Sequence, residues 1–136
     1  MIVADASVIA CLCVDGDQTP LAEAALEQDP VWAAPLLWRS EFCSALVRHL
    51  HHGLMGMESA LVSLRMAEEA IAGREYTVDS RKVVELAAAS KCLAYDCEYV
   101  ALALDLGLPL VTTDKQFLRA FPKTAVALEK FAKQRK

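Results

Sequence analysis

Ile2-Val3-Ala4-Asp5-Ala6-Ser7-Val8 opens the chain with three apolar residues, an acid and the start of a helical pattern. A short apolar run before such a break reads as a buried strand. Ser7 to Val14 then reads as a helix that stops at the turn Asp15-Gly16-Asp17. The same order returns at Leu110-Val111-Thr112-Thr113-Asp114, a strand over Leu110 to Thr112 and then an acid, followed by a short helix over Lys115 to Ala120. Further strands are expected at Val31–Ala34, Tyr76–Val78 and Thr124–Ala127. Helices are expected at Pro20–Gln28, with proline in the first turn where a missing N–H does no harm, and at Leu37–His52, Glu58–Ala72 and Ser80–Ser90. One more, capped by Asp96, runs to Leu106, and a basic helix ends the chain. Gly53, Gly73 and Gly107 stand where left-handed C-caps belong. Strands alternating with helices predict an α/β fold: a central parallel sheet of four to five strands with helices on both faces.

Ligands of such sheets bind outside the C-terminal strand ends. Asp5 and Asp114 follow strands directly and should reach that edge. Glu41, in Trp38-Arg39-Ser40-Glu41-Phe42, and Asp96, in Tyr95-Asp96-Cys97-Glu98-Tyr99, complete a set of four carboxylates. Each has a plainer role open to it. Asp5 and Asp96 suit N-caps, Asp114 a loop, and Glu41 a half-exposed site near Arg39 or Arg48. Taken together, dispersed acids that converge at one edge suit a hard divalent cation such as Mg²⁺ or Mn²⁺, which prefers oxygen ligands. Phosphodiester hydrolysis is the chemistry such sites most often support.

The 136 residues, 55% hydrophobic and 24% charged, suffice for one core and predict a single domain over 1–136. No apolar stretch reaches the length of a membrane span, and no basic segment precedes an apolar leader. Five cysteines, an odd number without a disulfide-scaffold pattern, point to a reducing, cytoplasmic setting. The net charge of −4 divides unevenly: Lys115 to Lys136 carries +6 and the rest −10. An acidic body beside a basic segment fits a cation-filled pocket next to a phosphate-attracting edge; a solubilising tail is the alternative.

The chain resembles a PIN domain, and within that group the VapC-type toxins of prokaryotic toxin–antitoxin pairs. Ile2 to Val8 is similar to the family's opening strand with its first acid and serine. Pro35-Leu36-Leu37-Trp38-Arg39-Ser40-Glu41 resembles the second-acid helix, Tyr95 to Ala103 the third-acid motif, and Leu110 to Asp114 the fourth. Ser44 stands where many members carry Asn, and Cys97 where a small residue such as Ala is common. The resemblance implies a three-layer PIN-like fold and a ribonuclease using Mg²⁺ or Mn²⁺. RNA is its implied substrate, an antitoxin protein its partner and a homodimer its assembly. Asp5, Asp96 and Asp114 would then be direct or water-mediated ligands, and Glu41 a ligand or the orienter of the attacking water. Ser7 and Thr112 would steady them through hydroxyls, with Thr113 a lesser substitute for Thr112. Lys115 and Arg119, directly after Asp114, would touch RNA, with Lys130, Lys133, Arg135 and Lys136 extending the track. An apolar groove between the Pro20–Gln28 and Leu37–His52 helices would receive the antitoxin.

Other features carry less. His49 and His52 are three apart but lack a third ligand, and histidines at a helix end suit the dipole. Cys43, Cys92 and Cys97 read as small core residues. Asp15-x-Asp17-x-Thr19 lacks the Gly and Glu of a calcium loop. The competing functions are a metal-dependent phosphatase on a similar sheet and a non-catalytic binding domain. Aspartyl phosphatases usually place a second Asp two residues after the nucleophile, where this chain has Ser7. Loss of some acids would mark the non-catalytic domain, and none of the four is missing.

Overall fold

A computed structural model describes residues 1–134; Arg135 and Lys136, counted in the basic segment above, lie outside the described residues. In chain order the elements are β1 (Ile2–Ala4), α1 (Ala6–Cys13), α2 (Thr19–Gln28), β2 (Trp32–Pro35), α3 (Trp38–His51), α4 (Met57–Ile71) and β3 (Glu75–Tyr76). There follow α5 (Ser80–Ser90), α6 (Ala94–Leu106), β4 (Leu110–Thr112), α7 (Lys115–Ala120), β5 (Ala125–Ala127) and α8 (Leu128–Ala132).

The strands form one five-stranded sheet in the order β3-β2-β1-β4-β5, and every pairing is parallel. Val3 lies opposite Ala33 on one side and Leu110 on the other. The strand order reverses at β1 and β4, the place where such sheets open a crevice at their C-terminal edge. Every residue of β1, β2 and β4 is buried, as expected of a parallel sheet covered on both faces.

Alternation along the strands sorts the core into two layers. Ile2, Ala4, Trp32, Ala34 and Val111 pack with α1, α2, α3, α4 and α8. Val3, Leu110 and Ala125 pack against Tyr99, Val100 and Leu102 of α6 and Phe117 of α7. Val83 of α5 joins Cys97 and Ala101 of α6 beyond them. The three-layer α/β architecture expected from the sequence is thus the one observed.

Three expectations need correction. Strand β3 ends at Tyr76 rather than Val78. Its partner β2 ends at Pro35, and Leu36 N–H makes the last cross-strand bond, to Tyr76 O. Thr77 and Val78 therefore have no β2 backbone left to pair with. Helix α6 starts two residues before Asp96, with Leu93 at the N-cap and Cys97 N–H bonded to Leu93 O. Asp96 is thus inside the first turn, where a negative charge suits the helix dipole, and its carboxylate is not the cap. Cys43 is exposed on α3, not a core residue, whereas Cys92 and Cys97 are buried.

Candidate active site

Two strand-to-helix turns meet at the crevice. Asp5, 4% exposed, ends β1 and caps α1. Its Oδ1 accepts from the Ser7 hydroxyl at 2.6 Å and from the Val8 N–H at 3.0 Å. Its Oδ2 accepts from the buried Thr112 hydroxyl at the end of β4. Thr112 Oγ1 in turn accepts from the Asp114 N–H at 3.0 Å. The Thr113 hydroxyl donates to Ser7 Oγ at 2.8 Å. Thr112 and Thr113 are therefore not substitutes for one another: Thr112 holds Asp5, and Thr113 holds Ser7. Asp114 caps α7 by accepting from the Gln116 N–H at 2.8 Å. Asp5 is an N-cap, as its plainer reading had it; Asp114, read as a loop acid, is an N-cap as well, and both also reach the crevice.

The other two acids come from opposite layers. Glu41 lies in the first turn of α3, and its Oε1 accepts from the Tyr99 hydroxyl at 2.5 Å. Arg39 does not reach it. Its guanidinium bonds Glu68 and Glu75 at 2.8 Å each. Burial pushes the Glu41 carboxyl up, and Asp96, Asp5 and Glu98 push it further, against the Tyr99 bond. Burial raises Asp96 too, with Asp114 adding to it. Asp5 is raised by burial and by Asp114, against the bonds from Ser7, Thr112 and Val8. Asp114 thus acts on Asp5 and Asp96, and Asp96 and Asp5 act on Glu41, with no Lys or Arg of the described residues to offset them at these three carboxyls. Crowded carboxylates with this imbalance attract a cation.

The donor set is all oxygen, which suits Mg²⁺ or Mn²⁺. Among the described residues, no three His, Cys, Asp or Glu side chains are gathered closely enough to enclose an ion. An ion held by these acids would be one that keeps several of its waters, as Mg²⁺ commonly does, because the side chains do not form a closed cage. His49 and His52 form no such site either; His49 Nδ1 bonds Ala45 O at 2.8 Å within α3. All five cysteines are free. Lys115 and Arg119 are exposed on α7, directly after Asp114.

Helix α1 packs against both α2 and α3, so clefts flank α1 in place of one groove between α2 and α3. One, about 630 Å³, is lined by Leu12, Leu26 and Met66. The other, about 720 Å³, is lined by Ser7, Glu41 and Arg48. Two residues to which the sequence reading gave no role belong to the site: Tyr99, which holds Glu41, and Glu98, whose charge acts on it. Both lie within the Tyr95–Ala103 motif, the only signal that could have drawn attention to them.

The sequence matches the model of the PIN domain over residues 2–121. Ribonuclease VapC3 of Pyrobaculum aerophilum is 32% identical over 124 residues, covering 89% of this chain and 95% of that protein. Among solved structures, PAE2754 from Pyrobaculum aerophilum aligns with a TM-score of 0.78 at 21% identity, over 96% of this chain and 92% of its own. A toxin–antitoxin complex from Klebsiella pneumoniae aligns at 0.69 and 18% identity, over 94% of this chain and 98% of its own. At those identities the two structural likenesses bear on the fold.

Proposed function

The chain belongs to the PIN-domain family, and from that premise we propose that it is a VapC-type endoribonuclease, the toxin of a toxin–antitoxin pair, acting as one domain over residues 1–136. The observation that carries this reading is the gathering of Asp5 and Asp114 at the ends of β1 and β4 with Glu41 and Asp96 from the flanking helices, near enough that Asp114 acts on Asp5 and Asp96, and both of these act on Glu41. In the proposal Asp5, Asp96 and Asp114 hold Mg²⁺ or Mn²⁺, directly or through its waters. Glu41 is a further ligand or orients the attacking water. When bound, such an ion lowers the pKa of a water it holds and neutralises charge on the attacked phosphate.

The protein's own part is positional. Hydroxyls of Ser7 and Thr112 fix both oxygens of Asp5, so the carboxylate needs little reorganisation when charge develops. Lys115 and Arg119 bring positive charge to an acidic edge and are the proposed contacts to the RNA backbone. The antitoxin partner is supported by an apolar stripe on α4, where Met57, Leu61, Val62 and Met66 are exposed; such patches mark interaction surfaces. The proposed assembly is a homodimer in the cytoplasm. Among the described residues no helix is long and apolar enough to cross a membrane.

The test is to express the chain without its partner and sequence the RNA ends that appear. Discrete new ends are expected with the wild type and none with Asp5→Asn or Asp114→Asn. Purified Asp5→Asn protein that cleaves RNA in Mn²⁺ at the wild-type rate overturns the reading.

A further inference from the structure

The cleft between α1 and α3 is continuous with the acid cluster. Ser7, Glu41 and Thr113 line it at the crevice, and Arg48 and His49 line it further along α3. Its volume is about 720 Å³. Small side chains, Ala10 from α1 and Ser44 and Ala45 from α3, leave it open. Glu41 and Arg48 are seven residues apart, about two turns or roughly 10 Å along the helix. Arg48 is exposed and makes no ion pair among the described residues. His49 directs Nδ1 to Ala45 O, which leaves Nε2 for another partner. Tyr95, 61% exposed at the start of α6, lines the same cleft. An aromatic ring left this open in water, beside a cleft that ends in the Arg48 guanidinium, has the composition of a single-strand nucleic-acid track: a stacking platform and a phosphate contact.

We propose that this cleft is the path of single-stranded RNA on one side of the scissile phosphate, with Tyr95 stacking a base and Arg48, aided by His49, holding a backbone phosphate. The inference rests on the ribonuclease reading and names the substrate's course through that same site. Topology supports it. Helices α1 and α3 follow β1 and β2, whereas α7, with Lys115 and Arg119, follows β4 on the other side of the switch point. A strand crossing the acids thus meets positive charge on both sides. The linear reach also suits a strand rather than a duplex, because a base can stack on Tyr95 only when it is unpaired.

The test uses the full chain carrying Asp5→Asn, to prevent cleavage, and a short, unstructured, fluorescein-labelled oligoribonucleotide. Kd is measured across a salt series. Adding Arg48→Ala should weaken binding at low salt and reduce the slope of log K against log salt by about 0.7, the value for one phosphate on a single strand. Adding Tyr95→Ala should weaken binding about tenfold with the salt slope unchanged, while Tyr95→Phe binds like its parent. Both residues are exposed, so folding should survive, and circular dichroism checks it. If Arg48→Ala with Tyr95→Ala binds as tightly and with the same slope as the parent, the proposal is overturned, and the cleft serves a protein partner or nothing. If wild-type protein also fails to cleave any RNA, the ribonuclease reading falls with it. If wild-type protein cleaves RNA while the cleft variants bind normally, only the path is wrong.

Discussion

Tyr99 carries no charge, yet it fixes one oxygen of Glu41. The residue is 1% exposed, and burial together with Glu41 holds its phenol far above the usual range, so it stays a donor at any working pH. Tyr99→Phe removes the 2.5 Å bond and frees Glu41 to rotate. The expected result is a fall in kcat of about 10- to 100-fold, the size of a misplaced catalytic group, with KM for RNA little changed. A melting curve separates this from damage to the core, since one lost hydrogen bond to a carboxylate changes stability by about 1.5–3 kcal/mol. Wild-type kcat in this variant would remove Tyr99 from the positioning machinery. Nothing local in the sequence announces this bond, because its partners are 58 residues apart and a tyrosine on a buried helix reads as core. The acids were legible for the opposite reason: Asp5 and Asp114 stand at strand ends, a position that a short apolar run and the next helix define without tertiary knowledge.

At the scale of elements, capping and catalysis share the same side chain. Asp114 caps α7, and Asn caps about as well as Asp. Asp114→Asn should therefore abolish cleavage and leave thermal stability nearly unchanged. Asp114→Ala should abolish cleavage and also destabilise by about 1 kcal/mol, the usual worth of a cap. Asp79, which caps α5 by accepting from the Arg81 N–H, supplies the control. Asp79→Ala should lower the melting temperature to a similar degree while leaving cleavage intact. Denaturation and RNA cleavage measured on the three variants decide, and a large stability loss in Asp114→Asn would mean that the charge itself holds α7. Most element positions were legible from Gly, Pro and acid punctuation. The misplaced starts and ends, α6 and β3, depend on which backbone groups find partners across the sheet or a turn earlier, and side-chain pattern does not encode that.

Over the whole molecule, the acid cluster sets how metal and protons act on folding. Asp5, Glu41 and Asp96 are all raised when folded, chiefly by burial. The native state then binds more protons than the unfolded chain, so their contribution to stability is fully present below the unfolded values, 3.8 for the aspartates and 4.5 for Glu41. It is lost as pH rises through the folded values. In EDTA, Asp5→Asn should therefore gain on the wild type as pH rises from about 4 to 7. The gain is offset in part because Asn puts an N–H₂ where one carboxylate oxygen stood, while Ser7 and Val8 donate to one oxygen and Thr112 to the other. Mn²⁺ should do for the wild type what protons do, stabilising only the folded state and raising Tm with concentration. An Asp5→Asn/Asp96→Asn protein should show little Mn²⁺ shift and a flatter pH profile. Melting curves over a pH and Mn²⁺ grid test both at once. Equal Mn²⁺ shifts in the two proteins would place the metal away from the four acids. A pH profile unchanged by Asp5→Asn would mean that the Ser7, Thr112 and Val8 bonds balance burial at that carboxylate, and a reversed one that they outweigh it.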